Sequence, residues 1–316
     1  MISLSASLDG ALARNIARRA AAYFIIVCML AVPSLANNQQ RVRRVAVTVD
    51  DLPASRTAFP ASESCDFAAL QTATKQFLRV AAAHRVPVAG FVNEGKACPQ
   101  WEPGALAELL EIWLDAGAEI GNHTYSHPDL YNTTLDAYKA DIIRGEATAS
   151  IVLAKRKQRL RYFRHPYLHD GLDPGVRKEL RKFLSSRGYE TAPVTVDNQD
   201  WMFSEVYARA KQRHDKATMA HVLDAYLRYL NAVFASAEEL SGALLGYQAP
   251  QILLLHATAL NFDHFEKVVD VIALRGYEFI PLEAAMKHNR QKAPGCGAGP
   301  PCREQGPSRG RESRTF

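Results

Sequence analysis

Two adjacent carboxylates, Asp50 and Asp51, follow directly on a short apolar run at residues 45–49. A run this short and this rich in valine predicts a buried strand of a parallel sheet. Open and closed α/β sheets place their functional side chains at the carboxyl ends of such strands. Because neighbouring residues leave a strand in different directions, one Asp could bind a metal ion while the other faces a substrate. The alternative interpretation is a loop of solvated acids, or a turn that opens before Pro53.

A pair of histidines offers the other ligands that such a metal site needs. His123 and His127 are four residues apart, so a single helical turn would direct both imidazoles to the same side. Two neutral imidazoles and a carboxylate form a common catalytic zinc site that keeps one coordination position open for water. Taken alone, the spacing is equally compatible with two histidines on a solvated surface.

Three more polar groups lie at or just after predicted strand ends. Arg164 ends one strand and could hold a carboxylate through two parallel hydrogen bonds. Residues 197–201 include Asp200, which could orient a histidine, and Trp201, which offers a flat face to a sugar. His256 ends a very apolar strand. Singly, these residues could be a surface arginine, a helix cap, a core tryptophan and a structural histidine. Their shared position at strand ends favours catalysis.

Strands and helices alternate along most of the chain. This alternation predicts a parallel sheet wound with helices, and about seven strands are nearly enough to close a barrel. The predicted strands are residues 45–49, 87–92, 118–121, 160–164, 189–196, 252–256 and 277–281. The predicted helices are residues 66–83, 102–116, 134–157, 173–187 and 262–274. Asp66 is the expected N-cap of the first helix.

Two stretches depart from this alternation of strands and helices. Residues 202–246 contain two helical patterns and no strand pattern, so we interpret them as a helical insertion that shapes access to the barrel mouth. From residue 288 onward Gly, Pro, Arg and Ser dominate, which predicts a disordered tail at 288–316. The main domain is therefore expected at residues 42–287.

The composition as a whole is that of an ordinary globular protein. The chain has 316 residues, of which 47% are hydrophobic and 22% charged, and this is ample for one large core. The formal net charge is only +5, and much of the basic excess lies at the two ends of the chain. The charge therefore gives little support to nucleic-acid binding.

The N-terminus has the pattern of a secretory signal peptide at residues 1–36. Arginines at positions 14, 18 and 19 precede an apolar run at residues 20–32, and small residues lie before a cut after Ala36. We therefore expect an exported protein, periplasmic or secreted, with no stable membrane insertion after cleavage. An uncleaved N-terminal membrane anchor is the alternative.

Export changes the interpretation of the cysteines. Cys65 and Cys98 lie in the main domain, and Cys296 and Cys302 lie in the tail. Each pair could form a disulfide in an oxidising compartment. Four cysteines allow three connectivities, and the sequence does not choose among them.

Five segments resemble, in order, the motifs of one known family. They are Thr48-Val-Asp-Asp51, His123-Thr-Tyr-Ser-His127, Arg164-His-Pro-Tyr167, Asp197-Asn-Gln-Asp-Trp201 and Leu254-Leu-His256. The family is the polysaccharide deacetylases, the NodB-homology group known as carbohydrate esterase family 4. The resemblance covers residues 45–285 and implies an α/β fold, a distorted (β/α)7 barrel of the NodB-homology type, here with a helical insertion.

The resemblance implies a metal site and an acid–base pair. Asp51, His123 and His127 would bind one divalent metal ion, with Zn²⁺ as the expected ion. Asp50 would be the general base that deprotonates the attacking water. His256 would be the general acid that protonates the leaving amine.

The resemblance also implies supporting and substrate-binding residues. Arg164 would orient the base, and Asp200 would orient the acid. Pro166, Tyr167 and Trp201 would belong to the substrate groove. Within that group, the backbone N–H of Tyr167 would join the metal in stabilising the oxyanion.

The implied activity is removal of N-acetyl groups from an amino-sugar polymer or oligomer of the chitin or peptidoglycan type. The expected partner is therefore a carbohydrate and not a nucleic acid. A metal supplies the nucleophile and polarises the carbonyl, and a carboxylate–histidine couple handles the protons. Val49, Leu52, Pro53 and Leu168 depart from residues common in the family and alter the groove walls. The alternatives are the same chemistry on a non-polymer amide or an O-acetyl ester, or an inactive carbohydrate-binding relative.

Overall fold

The structure is a computed structural model that describes residues 42–292, with side chains described to residue 289. The strands are β1 Arg43–Leu52, β2 Val88–Val92, β3 Glu119–Asn122, β4 Tyr162–Phe163, β5 Glu190–Thr191, β6 Val196–Asp197, β7 Gln251–His256 and β8 Tyr277–Phe279. The helices are α1 Phe67–Ala83, α2 Ala105–Asp115, α3 Leu135–Arg144, α4 Ala147–Lys155, α5 Pro174–Ser186, α6 Asp200–Gln212, α7 Lys216–Leu245, α8 Ala259–Leu274 and α9 Leu282–Lys292. Short 3₁₀ turns lie at Arg56–Ala58, Glu94–Lys96 and Pro166–Leu168.

All paired strands are parallel, and seven of them follow the order β5-β4-β3-β2-β1-β7-β6, while β8 pairs with the start of β1. The outermost strands, β5 and β6, are joined by only the four residues 192–195. An extended chain can span at most ~18 Å over the five steps from Thr191 to Val196. The two edges of the sheet therefore curl towards each other. This arrangement confirms the predicted distorted seven-stranded barrel.

The predicted strand at residues 189–196 is two short strands in the structure. Pro193 lies between them and cannot donate a backbone hydrogen bond, so no continuous ladder forms there. Instead the N–H of Ala192 donates to Phe163 O at 2.8 Å, on the β4 side. The N–H of Thr195 donates to Ile252 O at 3.0 Å, on the β7 side. The crossing segment thus bridges the two edges of the barrel.

The side chains of β1 alternate between two environments, as strand geometry requires. Val45, Val47 and Val49 belong to the large core that the outer helices cover. Ala46 belongs to the smaller cluster inside the barrel, and Thr48 accepts a hydrogen bond there from Arg164. The next inward position after Thr48 is residue 50, so the strand delivers an acid to the inner end of the barrel.

Local sequence signals account for the helix starts. The Asp66 carboxylate accepts a hydrogen bond from the Ala69 N–H at 3.0 Å, which confirms the predicted N-cap of α1. Residues 202–246 are occupied by most of α6 and all of α7. The long α7 buries Val222, Tyr226, Leu230 and Phe234, which are spaced by four residues and form one face.

Both ends of the chain lie outside the described residues. The predicted signal peptide at 1–36 and the pair Cys296 and Cys302 fall there. Helix α9 continues to Lys292, past the start of the tail that we predicted at residue 288. Between residues 42 and 292, no helix combines the length and the apolar character that crossing a bilayer requires.

Candidate active site

The two acids at the end of β1 are both buried but point differently. Asp50 remains in regular strand pairing, where its register partner on β7 is His256. Asp51 adopts a left-handed backbone conformation with φ of 72°, which Asp tolerates better than most residues. The exposed fractions are only 2% for Asp50 and 6% for Asp51. The turn at Asp51 therefore separates two carboxylates that the sequence alone could not distinguish.

The two histidines come together through a tight loop after β3. We predicted a helical turn, and this is wrong, because residues 123–127 are not helical. The Asn122 carboxamide oxygen accepts from the Thr124 N–H at 2.7 Å, and the Thr124 hydroxyl accepts from the His127 N–H at 3.1 Å. Thr124 and His127 both have positive φ. The resulting loop brings the two imidazole centroids to 5.0 Å.

Asp51, His123 and His127 form a set that could hold a metal ion, with one donor atom from each within 4.8 Å of the others. Asp51 Oδ1 lies 3.8 Å from His123 Nε2 and 3.6 Å from His127 Nε2. Donor atoms around a tetrahedral zinc are about 3.3 Å apart, so a small movement would complete the set. Asp51 Oδ1 is also buried and accepts no aligned hydrogen bond, although the Lys96 ammonium lies 2.6 Å from it.

The protonation states suit a metal ligand set. Burial lowers the pKa of His123 to about 3 and that of His127 to about 4, so both imidazoles are neutral at pH 7. The His123 Nδ1–H donates to the Arg164 carbonyl at 2.8 Å, which leaves Nε2 as the lone-pair atom. Burial opposes ionisation of Asp51, but the Lys96 ammonium and the neighbouring histidines together outweigh it and hold the pKa of this carboxyl below its usual range.

Arg164 anchors Asp50 from inside the barrel. Its Nη1 lies 3.4 Å from one carboxylate oxygen of Asp50 and 3.5 Å from the other. Its Nε–H donates to the Ala192 carbonyl at 2.8 Å, and its Nη2–H donates to the Thr48 hydroxyl at 3.2 Å. Burial raises the pKa of Asp50 even though the guanidinium acts against it. Asp50 is therefore a fixed carboxylate with more affinity for a proton than an exposed one.

Asp200 holds His256, the register partner of Asp50 on β7. The His256 Nδ1–H donates to Asp200 Oδ1 at 2.6 Å, and the His256 backbone N–H donates to Oδ2 at 2.7 Å. The Asn261 carboxamide also donates to this carboxylate. Burial would lower the pKa of His256, but the Asp200 carboxylate outweighs it and raises this pKa to about 9. The imidazole is therefore protonated at neutral pH and can donate a proton.

A cleft of about 590 Å³ opens above these residues. Trp201 and Tyr167 line it, with 48% and 58% of their surfaces exposed. The Tyr167 ring lies edge-on to His127 with centroids 4.6 Å apart. Pro166 is buried and is not among the cleft-lining residues; it starts the short 3₁₀ turn that presents Tyr167.

The sequence model of the family described as polysaccharide deacetylase matches residues 37–192. The chain belongs to the polysaccharide deacetylase family. The matched span contains Asp50, Asp51, both loop histidines and Arg164, and it ends before Asp200 and His256. Residues of the last two motifs, 197–201 and 254–256, lie outside the matched span, and the structure shows that they line the same cleft.

Similar solved structures include a polysaccharide deacetylase from Bacillus cereus, with 16% identity and a TM-score of 0.50, covering 76% of this chain and 91% of that one. Peptidoglycan deacetylase PdaC from Bacillus subtilis has 19% identity, a TM-score of 0.48 and coverages of 78% and 92%. A carbohydrate esterase family 4 pseudoenzyme from Bacillus anthracis has 15% identity, a TM-score of 0.48 and coverages of 75% and 62%. This chain thus spans less than two thirds of the pseudoenzyme. At these identities the likeness to the B. cereus protein concerns the fold alone.

In this deacetylase family member, sequence reasoning missed the segment Asn93-Glu-Gly-Lys96. The buried Asn93 carboxamide donates to the His123 and Thr124 carbonyls and so supports the histidine loop. The Lys96 ammonium lies 2.6 Å from Asp51 Oδ1. The segment directly follows β2, so the strand-end argument that singled out the other residues would also have found it.

Glu94 ties this segment to helix α4. Its Oε1 accepts hydrogen bonds from the Thr148 and Ala149 N–H groups at 2.7 and 2.9 Å, at the amino end of the helix. We predict that Glu94→Ala lowers the free energy of unfolding by about 1–3 kcal/mol, because one buried and one partly buried donor lose their acceptor. Urea unfolding followed by circular dichroism measures this change.

The matched control is Glu111→Ala, which removes a surface ion pair to Lys155. That change should alter the free energy of unfolding by about 0–1 kcal/mol. Equal effects of the two substitutions would show that Glu94 does not hold α4.

A disulfide joins Cys65 and Cys98, which both lie outside helices and strands. Cys98 lies two residues after Lys96, and Cys65 lies just before α1. The structure thus pairs Cys65 with Cys98, in agreement with one of the three connectivities that four cysteines allow. A covalent link across 33 residues restricts the unfolded chain and holds the Lys96 segment in place.

Proposed function

We propose that the protein is a zinc-dependent hydrolase that removes N-acetyl groups from an amino-sugar polymer or oligomer. The observation that carries this proposal is the position of Asp50, between a three-ligand metal set and a protonated histidine. Asp50 Oδ2 lies 3.6 Å from His123 Nε2, and Asp50 and His256 are register partners. A base, an acid and a metal set thus share one cleft, which amide hydrolysis requires.

The metal would be held by Asp51, His123 and His127. A divalent ion there supplies an activated water and a polarised carbonyl. Two neutral imidazoles and one carboxylate favour Zn²⁺ over Mg²⁺ or Ca²⁺, which prefer oxygen ligands. A set of three ligands also leaves room for the reacting groups.

The proton transfers are assigned to Asp50 and His256. Asp50 accepts a proton from the attacking water while Arg164 keeps the carboxylate in one orientation. His256 uses Nδ1 to bind Asp200, so Nε2 is the atom that gives a proton to the leaving amine. Its raised pKa keeps that proton in place at neutral pH until the C–N bond breaks.

Substrate binding is assigned to the exposed rings of the cleft. Trp201 offers a flat face for a sugar, and the backbone N–H of Tyr167 is proposed to stabilise the oxyanion. Tyr167 and Leu168 both have positive φ, so the backbone turns sharply at this point. Strained backbone of this kind often lies where a loop presents its groups to a substrate.

Export is part of the proposal. The disulfide between Cys65 and Cys98 is typical of proteins that fold in an oxidising compartment. The signal-like pattern at residues 1–36 agrees with it. A polymer substrate outside the cytoplasm suits an exported enzyme.

The direct test is acetate release from a substrate panel: N-acetylglucosamine oligomers, peptidoglycan, O-acetylated xylan and a small acetamide. We expect the highest kcat/KM on the N-acetylated oligomers or on peptidoglycan. Purified Asp51→Ala protein is the control and should release no acetate above background. Release from O-acetylated xylan alone would reject the amide specificity, and release from no substrate would reject the hydrolase.

We predict that Trp201→Ala raises KM for a sugar oligomer about tenfold, a loss of ~1.4 kcal/mol of binding. The reason is the loss of an exposed ring that lines the cleft. Metal content and kcat should stay unchanged, because Trp201 touches none of the proposed ligands. Steady-state acetate release measures both constants.

The neighbouring Met202 is the matched control, since it is exposed to 55% but does not line the cleft. Met202→Ala should leave KM unchanged. If Trp201→Ala also leaves KM unchanged, the sugar does not bind against this wall.

A further inference from the structure

Lys96 is a charged group at the metal set that no step of the proposed reaction uses. Its ammonium lies 2.6 Å from Asp51 Oδ1, the same atom that lies 3.6 Å from His127 Nε2. Only 20% of its side chain is exposed, and it lines the cleft. Asp51 Oδ1 has no aligned hydrogen bond, so the contact with Lys96 is an ion pair.

The segment that carries Lys96 is fixed to the loop that carries the histidines. The Gly95 N–H donates to the Tyr125 carbonyl at 2.9 Å, and a Cβ at position 95 would approach that oxygen to 2.6 Å. Asn93 donates to the carbonyls of His123 and Thr124. The hydrogen bonds of its segment thus hold Lys96 in position, unlike a lysine on a mobile surface loop.

A metal ion bound to Asp51 Oδ1 would have to share that oxygen with the ammonium. An ion ~2.1 Å from the oxygen would lie within ~4.7 Å of Nζ, given the 2.6 Å ion pair. Two positive charges at this distance repel strongly, and a partly buried pair is screened little by solvent.

Resting on the proposed metal site, we infer that Lys96 is an internal competitor of the metal ion. It neutralises Asp51 in the metal-free protein and weakens the affinity of the site for divalent ions. Removal of Lys96 should therefore lower the stability of the metal-free protein and raise its affinity for the metal. The metal-free protein loses stability, because Asp51 is left buried without a counter-ion. The metal binds more tightly, because the repulsion is gone.

The test measures Zn²⁺ affinity and thermal stability of the full chain and of Lys96→Met. Zn²⁺ affinity is obtained by competition with a chromogenic chelator. We expect the Kd of Lys96→Met to fall about tenfold or more. Its Tm without metal should be lower than that of the wild type, and the rise in Tm on adding Zn²⁺ should be larger. Lys155→Met, which removes an exposed ion pair with Glu111, is the matched control and should keep the wild-type Kd.

A lysine with a merely structural role would lower the Tm with and without metal and would not tighten metal binding. An unchanged or raised Kd in folded Lys96→Met therefore overturns the inference and leaves the proposed function standing. If Lys96→Met does not fold, Lys96→Gln takes its place, since its amide can still donate to Asp51 without a charge. A wild-type protein that binds no Zn²⁺ would reject the proposed metal function and this inference together.

Discussion

Asp50→Asn is expected to lower the rate of acetate release by ~10²–10⁴ while the metal stays bound. Asn keeps the shape of Asp50 but cannot accept a proton from water. Asp51 and the two loop histidines, which form the proposed ligand set, are unchanged. Asp51→Asn should do the reverse and reduce metal content, because it removes the anionic ligand. Measuring metal stoichiometry and acetate release for both variants separates the two acids.

Stability has to be followed in the same experiment. The Arg164 guanidinium is fully buried against Asp50, so Asp50→Asn leaves a buried charge uncompensated. Loss of one partner of such a pair costs about 3–5 kcal/mol of stability, and rates should be normalised to folded protein. Asp197→Asn is the control, since Asp197 lines the cleft but takes no part in the proposed proton transfers. Loss of metal from Asp50→Asn, with metal retained by Asp51→Asn, would reverse our assignment.

The second large effect concerns the pair formed by Asp200 and His256. In the proposed mechanism His256 acts as an acid and must be protonated, so its raised pKa of about 9 predicts that activity is lost on the alkaline side. We expect kcat/KM to fall as the pH rises through this value. Asp200→Asn removes the carboxylate that raises the pKa, so the alkaline limb should move to lower pH. His256→Gln should lower the rate by ~10²–10⁴ and abolish the limb.

A pH profile of kcat/KM for the three proteins measures this directly. The shift of the limb in Asp200→Asn is the informative result, since a purely structural role would lower the rate at every pH and leave the limb in place. An alkaline limb that persists in His256→Gln would assign the titration, and the acid, to another group.

The barrel was predictable because its strands are buried on both sides. Such strands are continuous apolar runs, as in residues 45–49 and 252–256, and helices separate them regularly. The candidate site was predictable for a related reason, since parallel strands bring the residues that follow them to one edge. Asp50 and His256 are 206 positions apart in sequence, yet they are register partners.

Other features depended on contacts that the sequence does not display. The histidine loop is shaped by the side chains of Asn122 and Thr124, which replace the helical turn suggested by the spacing. The strand predicted at residues 189–196 is interrupted by Pro193, and its halves join opposite edges of the sheet. Lysine is usually found on solvated surfaces, and only the fold shows that Lys96 lies beside Asp51.

The separation of Asp50 from Asp51 also depended on the backbone. Both are acids at the end of one strand, and their types give no distinction. The positive φ of Asp51 turns it towards the histidines while Asp50 stays in register. The family resemblance gave the same assignment, and the mutants described above test it.

The central claim is that one metal ion, held by Asp51, His123 and His127, drives removal of acetyl groups. Its most direct test is to strip the protein with a chelator, add Zn²⁺ back in small steps and measure acetate release from an N-acetylglucosamine oligomer at each step. We expect no activity in the stripped protein and a linear rise that ends at one Zn²⁺ per chain. Full activity in the stripped protein, or a rise that does not follow the bound metal, would contradict the claim.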